Sequence, residues 1–86
     1  MPSISMFFGI VIYMYNNGEH NPPHFHAYYG EYKAVFSLKG KLLEGKMPRS
    51  KIDLIKAWTV IHYDELEANW KLAINKEPLY KIKPLD

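Results

Sequence analysis

Three of the four histidines, His20, His24 and His26, fall within seven residues of Glu19-His20-Asn21-Pro22-Pro23-His24-Phe25-His26-Ala27. Imidazole titrates near neutrality, so two or three clustered histidines can supply both a base and an acid without a metal. RNA cleavage needs such a set: one group takes the 2′-hydroxyl proton and another protonates the leaving oxygen, while a cation steadies the phosphate. His20, His24 and His26 are therefore the candidate catalytic residues. Lys33, Lys46 and Arg49 are the candidates for holding the substrate phosphate. They belong with a run of cations, Lys39, Lys41, Lys46, Arg49 and Lys51, broken by Glu44. That run would make a modest phosphate-binding edge, and a solvated surface of ordinary solubility charges accounts for it equally well.

The same histidines admit two other readings. Neutral imidazole suits zinc, iron, nickel or copper, and His20, Glu31 or Glu44 could complete a site begun by His24 and His26. His24-Phe25-His26 with Glu31 after four intervening residues matches the first half of a cupin metal motif. Leu38 stands where that motif needs a glycine, and no second histidine motif follows. Structural zinc normally takes four ligands, and only His24 and His26 are firmly placed together. We expect no stoichiometric metal and no cofactor. In the remaining reading the histidines only hydrogen-bond backbone around the Pro-Pro turn, with Asn21 capping it.

The elements around this stretch follow from pattern. Two prolines fix φ and bias the residue before them toward extended backbone, so Asn21-Pro22-Pro23 is a stiff entry to a strand over 24–29. His24 and His26, two apart, share one face of it. Gly30-Glu31 suits a two-residue, glycine-first hairpin loop. That register pairs Phe25 with Phe36, Ala27 with Ala34 and Tyr29 with Tyr32 on an apolar face. The other face carries His24 across from Ser37, His26 across from Val35 and Tyr28 across from Lys33. A slip by one residue would destroy the segregation. A tight turn at Lys39-Gly40 would return 42–45 as a further strand, with Glu44 on the histidine face.

Residues 4–15 are apolar on both faces and rich in β-branched and aromatic types, which predicts one central strand with a bulge or bend at Gly9. Asn16-Asn17-Gly18 is a turn signal. From Ser50 the period becomes helical: Ile52, Leu54, Ile55, Trp58, Ile61, Leu66, Trp70, Ala73 and Ile74 recur at helical spacing. Ser50 with Asp53, and Asp64 with Glu67, resemble capping boxes. One helix of about 26 residues, roughly 39 Å long, would overhang so small a domain, so two helices broken near Tyr63-Asp64 are expected. Trp58 and Trp70 are packing residues on this reading, and His62 is a boundary residue. A tail after Pro78 docks through Leu79, Tyr80 and Ile82. The expected fold is α+β: an antiparallel three- to four-stranded sheet followed by two C-terminal helices packed on one face, the Phe25/Ala27/Tyr29 face.

Composition sets the outer bounds. The 86 residues make one domain, 1–86, and 48% hydrophobic and 15% aromatic content mark a folded chain. Without cysteine there is neither a disulfide framework nor a thiolate zinc site, which fits a cytoplasmic protein. The opening residues have no basic n-region, and the run 6–15 is too short to span a bilayer, so no membrane association is expected. A net charge of +2 does not by itself imply a nucleic-acid partner.

The chain resembles the small bacterial domain-of-unknown-function family 4160. The resemblance rests on Phe7-Phe8-Gly9-Ile10-Val11-Ile12, His20-Asn21-Pro22-Pro23-His24-Phe25-His26-Ala27, Tyr29-Gly30-Glu31, Leu43-Glu44-Gly45, Trp58, Asn69-Trp70 and Glu77-Pro78-Leu79. It implies a short bacterial protein encoded beside a second small protein, an arrangement suggestive of toxin–antitoxin modules. It brings no established activity and no established catalytic residues. On residues and resemblance together, we read a component of such a two-gene module, acting on RNA or on its cognate small protein as a metal-independent ribonuclease or RNA-directed toxin. The alternatives are a non-catalytic protein- or nucleic-acid-binding module with structural histidines, and a histidine-ligated metal-binding protein.

Overall fold

The computed structural model describes residues 3–15 and 22–85. Among these, five strands form one antiparallel sheet in chain order: β1 (Ser5–Phe7), β2 (Ile10–Tyr13), β3 (His24–Tyr29), β4 (Tyr32–Ser37) and β5 (Leu42–Gly45). Two helices follow, α1 (Arg49–Ile61) and α2 (Tyr63–Ile74). The α+β class and the order of sheet then helices are as the sequence predicts. The Asn16-Asn17-Gly18 turn lies outside the described residues.

The sheet has one strand more than the three or four expected, because 4–15 is not one strand. It folds back on itself at Phe8 and Gly9, which both adopt positive φ, 48° and 79°. Positive φ at both loop positions gives a turn whose twist matches that of antiparallel strands. Phe7 then pairs with Ile10 and Ser5 with Ile12. The segment is thus an edge hairpin, and the central strand is β3.

The β3–β4 hairpin has the predicted register throughout, from His24 across from Ser37 to Tyr29 across from Tyr32. Ser37 N–H bonds Lys41 O at 2.8 Å to close the next turn, and Glu44 comes to lie across from Val35. At Gly45 φ is +88°, and a Cβ there would sit 2.3 Å from Lys33 O. Glycine is what lets the end of β5 close onto β4, where Lys46 N–H bonds that same carbonyl at 3.0 Å.

One face of the sheet is the core. Phe7, Ile10, Ile12, Phe25, Ala27, Ala34 and Phe36 are buried there with Ile55, Trp58, Leu66 and Ala73 of the helices. Trp58 lies at the centre, its ring 5.2 Å from Phe7 and 5.8 Å from Phe25, so it and Trp70 are packing residues as read. The helices break at His62 (φ −113°), one residue before the expected place. His62 is more enclosed than a boundary residue, with Nδ1 2.6 Å from Glu65 Oε1.

Neither predicted capping box forms. The first helix is capped by Pro48, whose carbonyl accepts from Lys51 and Ile52 N–H, so Ser50 falls inside the first turn. Proline already holds φ near the helical value and has no N–H to satisfy, which makes it an effective start. Asp64 likewise sits within the first turn of α2, after His62, where its charge suits the positive end of the helix dipole.

The tail docks mainly through backbone. Asn69 Nδ2 donates to Tyr80 O at 2.8 Å and its Oδ1 accepts from Tyr80 N–H at 3.1 Å. Trp58 Nε1 donates to Lys83 O, and Ile82 N–H to Ile4 O. Ile82 is buried and Leu79 partly so, but the Tyr80 ring, expected to dock, is 74% exposed. Among the described residues, no helix is long and apolar enough to cross a membrane.

Candidate functional site

Strand pairing fixes what stands on the face of the sheet away from the helices. One row across the strands reads Met6, Val11, Tyr28, Lys33; the next reads Tyr13, His26, Val35, Glu44; a third begins with His24 and Ser37. Alternation along each strand sends these side chains outward while Phe25, Ala27, Ala34 and Phe36 go to the core.

The outer residues form a connected aromatic cluster. Tyr15 and Tyr28 share a hydroxyl–hydroxyl hydrogen bond of 2.8 Å. Tyr15 meets His26 edge-on at 4.6 Å between ring centroids, and Tyr13 meets Tyr28 edge-on at 5.2 Å. His24 and His26 stand 5.3 Å apart. Such pairs favour edge-to-face contact because a ring's positive edge meets its neighbour's negative face. His24 Nδ1 lies 2.8 Å from Pro22 O. A carbonyl can only accept, so Nδ1 carries the hydrogen, and in the neutral ring Nε2 holds the lone pair. The other side of His24 faces Trp70, 5.3 Å away. His26 Nε2 is closed off from solvent.

Among the described residues, hollows open on this face on either side of Tyr28. One, of about 210 Å³, is lined by His26, Tyr28, Lys33, Val35, Glu44 and neighbouring backbone. The other, of about 450 Å³, is lined by Val11, Tyr13, Tyr15 and Tyr28. Lys33 and Glu44 are both exposed, and neither is in an ion pair among the described residues. A separate cleft of about 460 Å³ lies at the other end of the histidine stretch, where Pro22 and Pro23 face Leu38, Tyr63, Trp70 and Ile74. On its rim the Tyr63 phenol donates to Glu67. That bond, and then the carboxylate's charge, push the phenol pKa above its ordinary value.

The predicted site residues are partly gathered. His24, His26 and Lys33 share the outer face. Lys46 follows β5 and bonds Lys33 through its backbone, but does not line the hollow. Arg49 begins α1 on the helical side of the sheet and lies 3.4 Å from Asp53 Oδ1, so it is not brought to the histidines. His20 and Asn21 lie outside the described residues. Among those described, no three His, Asp or Glu side chains come together as a metal-binding group. Register alone put Tyr28 on the histidine face without marking it as a site residue, and Tyr13 and Tyr15 were passed over. Their signal was parity: Val11, Tyr13 and Tyr15 alternate on one face of a strand, as do His24, His26 and Tyr28.

The family model that matches this chain is Domain of unknown function (DUF4160), over residues 9–71. The chain belongs to this family. The DUF4160 match spans β2 through most of α2, and so holds His24, His26, Glu44 and Trp70, together with Asn69, which pins the tail. Residues 77–79 lie beyond it. No curated protein and no solved structure matches the chain.

Proposed function

We propose that the outer face of the sheet is the working surface of this protein and that it engages single-stranded RNA, as one component of a two-gene, toxin–antitoxin-like module. One observation carries the reading. Tyr13, Tyr15, Tyr28 and His26 stand together on the face the helices leave uncovered, with Lys33 beside them and His24 at its margin, where Trp70 of α2 reaches it. Unpaired bases stack on such rings, at about 1–3 kcal/mol per base, and a flanking cation attracts the backbone. The family resemblance supports the two-gene setting and a cognate small protein as partner. The test is photocrosslinking of purified protein to RNA carrying 4-thiouridine. Crosslinked peptides should contain Tyr13 or Tyr28; crosslinks confined to the helices would refute the assignment.

A second reading, metal-free cleavage of that RNA, is favoured by the hydrogen bond from His24 to Pro22 O. Fixing Nδ1 as donor fixes which nitrogen can take a proton, as a general base requires. His26 suits proton transfer less well, because its Nε2 is shut away from solvent. On this reading His24 takes the 2′-hydroxyl proton at Nε2, water protonates the leaving 5′-oxygen, His26 positions His24, and Lys33 holds the phosphate.

A further inference from the structure

We propose that the hollow between His26, Tyr28, Lys33 and Glu44 selects a guanine base; this deepens, and rests on, the RNA-engaging reading of the same face. The hollow, about 210 Å³, places opposite charges on the rim of one aromatic-walled space. Lys33 comes from the row of Tyr28, and Glu44 from the row of His26 and Val35. Both are exposed, and neither is neutralised by an ion pair among the described residues. A ligand that complements this space presents an anion to Lys33, a flat ring to Tyr28 and hydrogen-bond donors to Glu44. A nucleotide has all three.

The acceptor character of Glu44 then selects the base. An ionised carboxylate only accepts hydrogen bonds, through two adjacent oxygens. Among the four RNA bases, only guanine offers two adjacent donors on its pairing edge, N1–H and the N2 amine. Uracil sets its N3–H between two carbonyl oxygens, which a carboxylate repels. Adenine and cytosine each place one amine beside an acceptor nitrogen. The neighbouring hollow, lined by Val11, Tyr13, Tyr15 and Tyr28, has no charged side chain among the described residues. It seats the adjoining base by stacking without reading its identity.

The test is fluorescence anisotropy with 5′-fluorescein RNA octamers, UUUUUUUU, UUUAUUUU, UUUGUUUU and the last with inosine for guanosine. The guanosine octamer should bind on the order of tenfold tighter than the uridine octamer, the scale of a good two-bond base contact. Inosine, which lacks the N2 amine, should lose most of that gain on wild-type protein. Glu44→Gln should bring the guanosine-to-uridine affinity ratio close to one. Equal affinity for guanosine and inosine, or an unchanged ratio in folded Glu44→Gln, would overturn guanine selection while leaving the RNA-binding face standing. Failure of folded wild-type protein to bind any octamer would remove both.

Discussion

Phe25 and His26 are neighbours in the chain that face opposite sides of the sheet. Phe25 is fully buried between Phe36 and Trp58, whereas His26 meets Tyr15 on the outer face. That division separates stability from function along a single strand. Phe25→Ala should cost about 3–5 kcal/mol by cavity formation. His24→Ala, on the half-buried outer side, should cost much less. Urea titrations of the two variants check this, and equal losses would contradict it.

Asn69 holds the tail by two hydrogen bonds to the Tyr80 backbone, from a site that is 2% exposed. Asn69→Ala removes both bonds to the part-buried Tyr80 backbone and should cost about 1–3 kcal/mol. Amide exchange should quicken at Tyr80 and Ile82 more than in β3. Unchanged protection of the tail would show that Asn69 does not anchor it.

Gly45 is constrained twice, by its φ of +88° and by Lys33 O lying 2.3 Å from where a Cβ would stand. Gly45→Ala should therefore destabilise the fold by more than about 1 kcal/mol. It should also move Glu44 relative to Lys33, visible as chemical-shift changes along β4. A stable variant with unperturbed β4 shifts would contradict this role.

The cleavage reading makes its own claim in cells. If folded protein freed of any partner shortens transcripts, His24→Ala should reduce the rate on the order of 10²–10⁴-fold, the usual contribution of a general acid or base. Transcript lengths measured at equal protein levels decide it. Intact RNA with the wild-type protein would leave binding without cleavage.

How much of this was legible depended on whether a local rule met a competing one. The β3–β4 hairpin was readable because a glycine-first loop and the segregation of Phe25/Ala27 from His24/His26 enforce the same register. The β1–β2 hairpin was hidden because its turn uses Phe8 in a left-handed conformation that few non-glycine residues adopt. The apolar run 4–15 therefore looked like one strand. Ser50 was a plausible cap on propensity alone, but Pro48 begins the helix two residues earlier than a Ser50 box would. In the candidate site, the histidine density drew the eye to residue type. The tyrosines that surround His26 were marked only by alternation, and Tyr13 and Tyr15 reach it through a strand pairing that the sequence reading had not placed.

Engagement of RNA by the outer face is tested by a titration of the double variant Tyr28→Ala/Lys33→Ala. Binding of a fluorescein-labelled, guanosine-containing RNA octamer should weaken at least about tenfold, since one stacking ring and one phosphate contact are lost together. The dependence of affinity on salt should also become shallower by roughly the 0.7 expected for one fewer single-strand phosphate contact. Circular dichroism should report an intact fold, because both side chains stand off the core. Undiminished affinity with an unchanged salt slope in the folded double variant would contradict the claim.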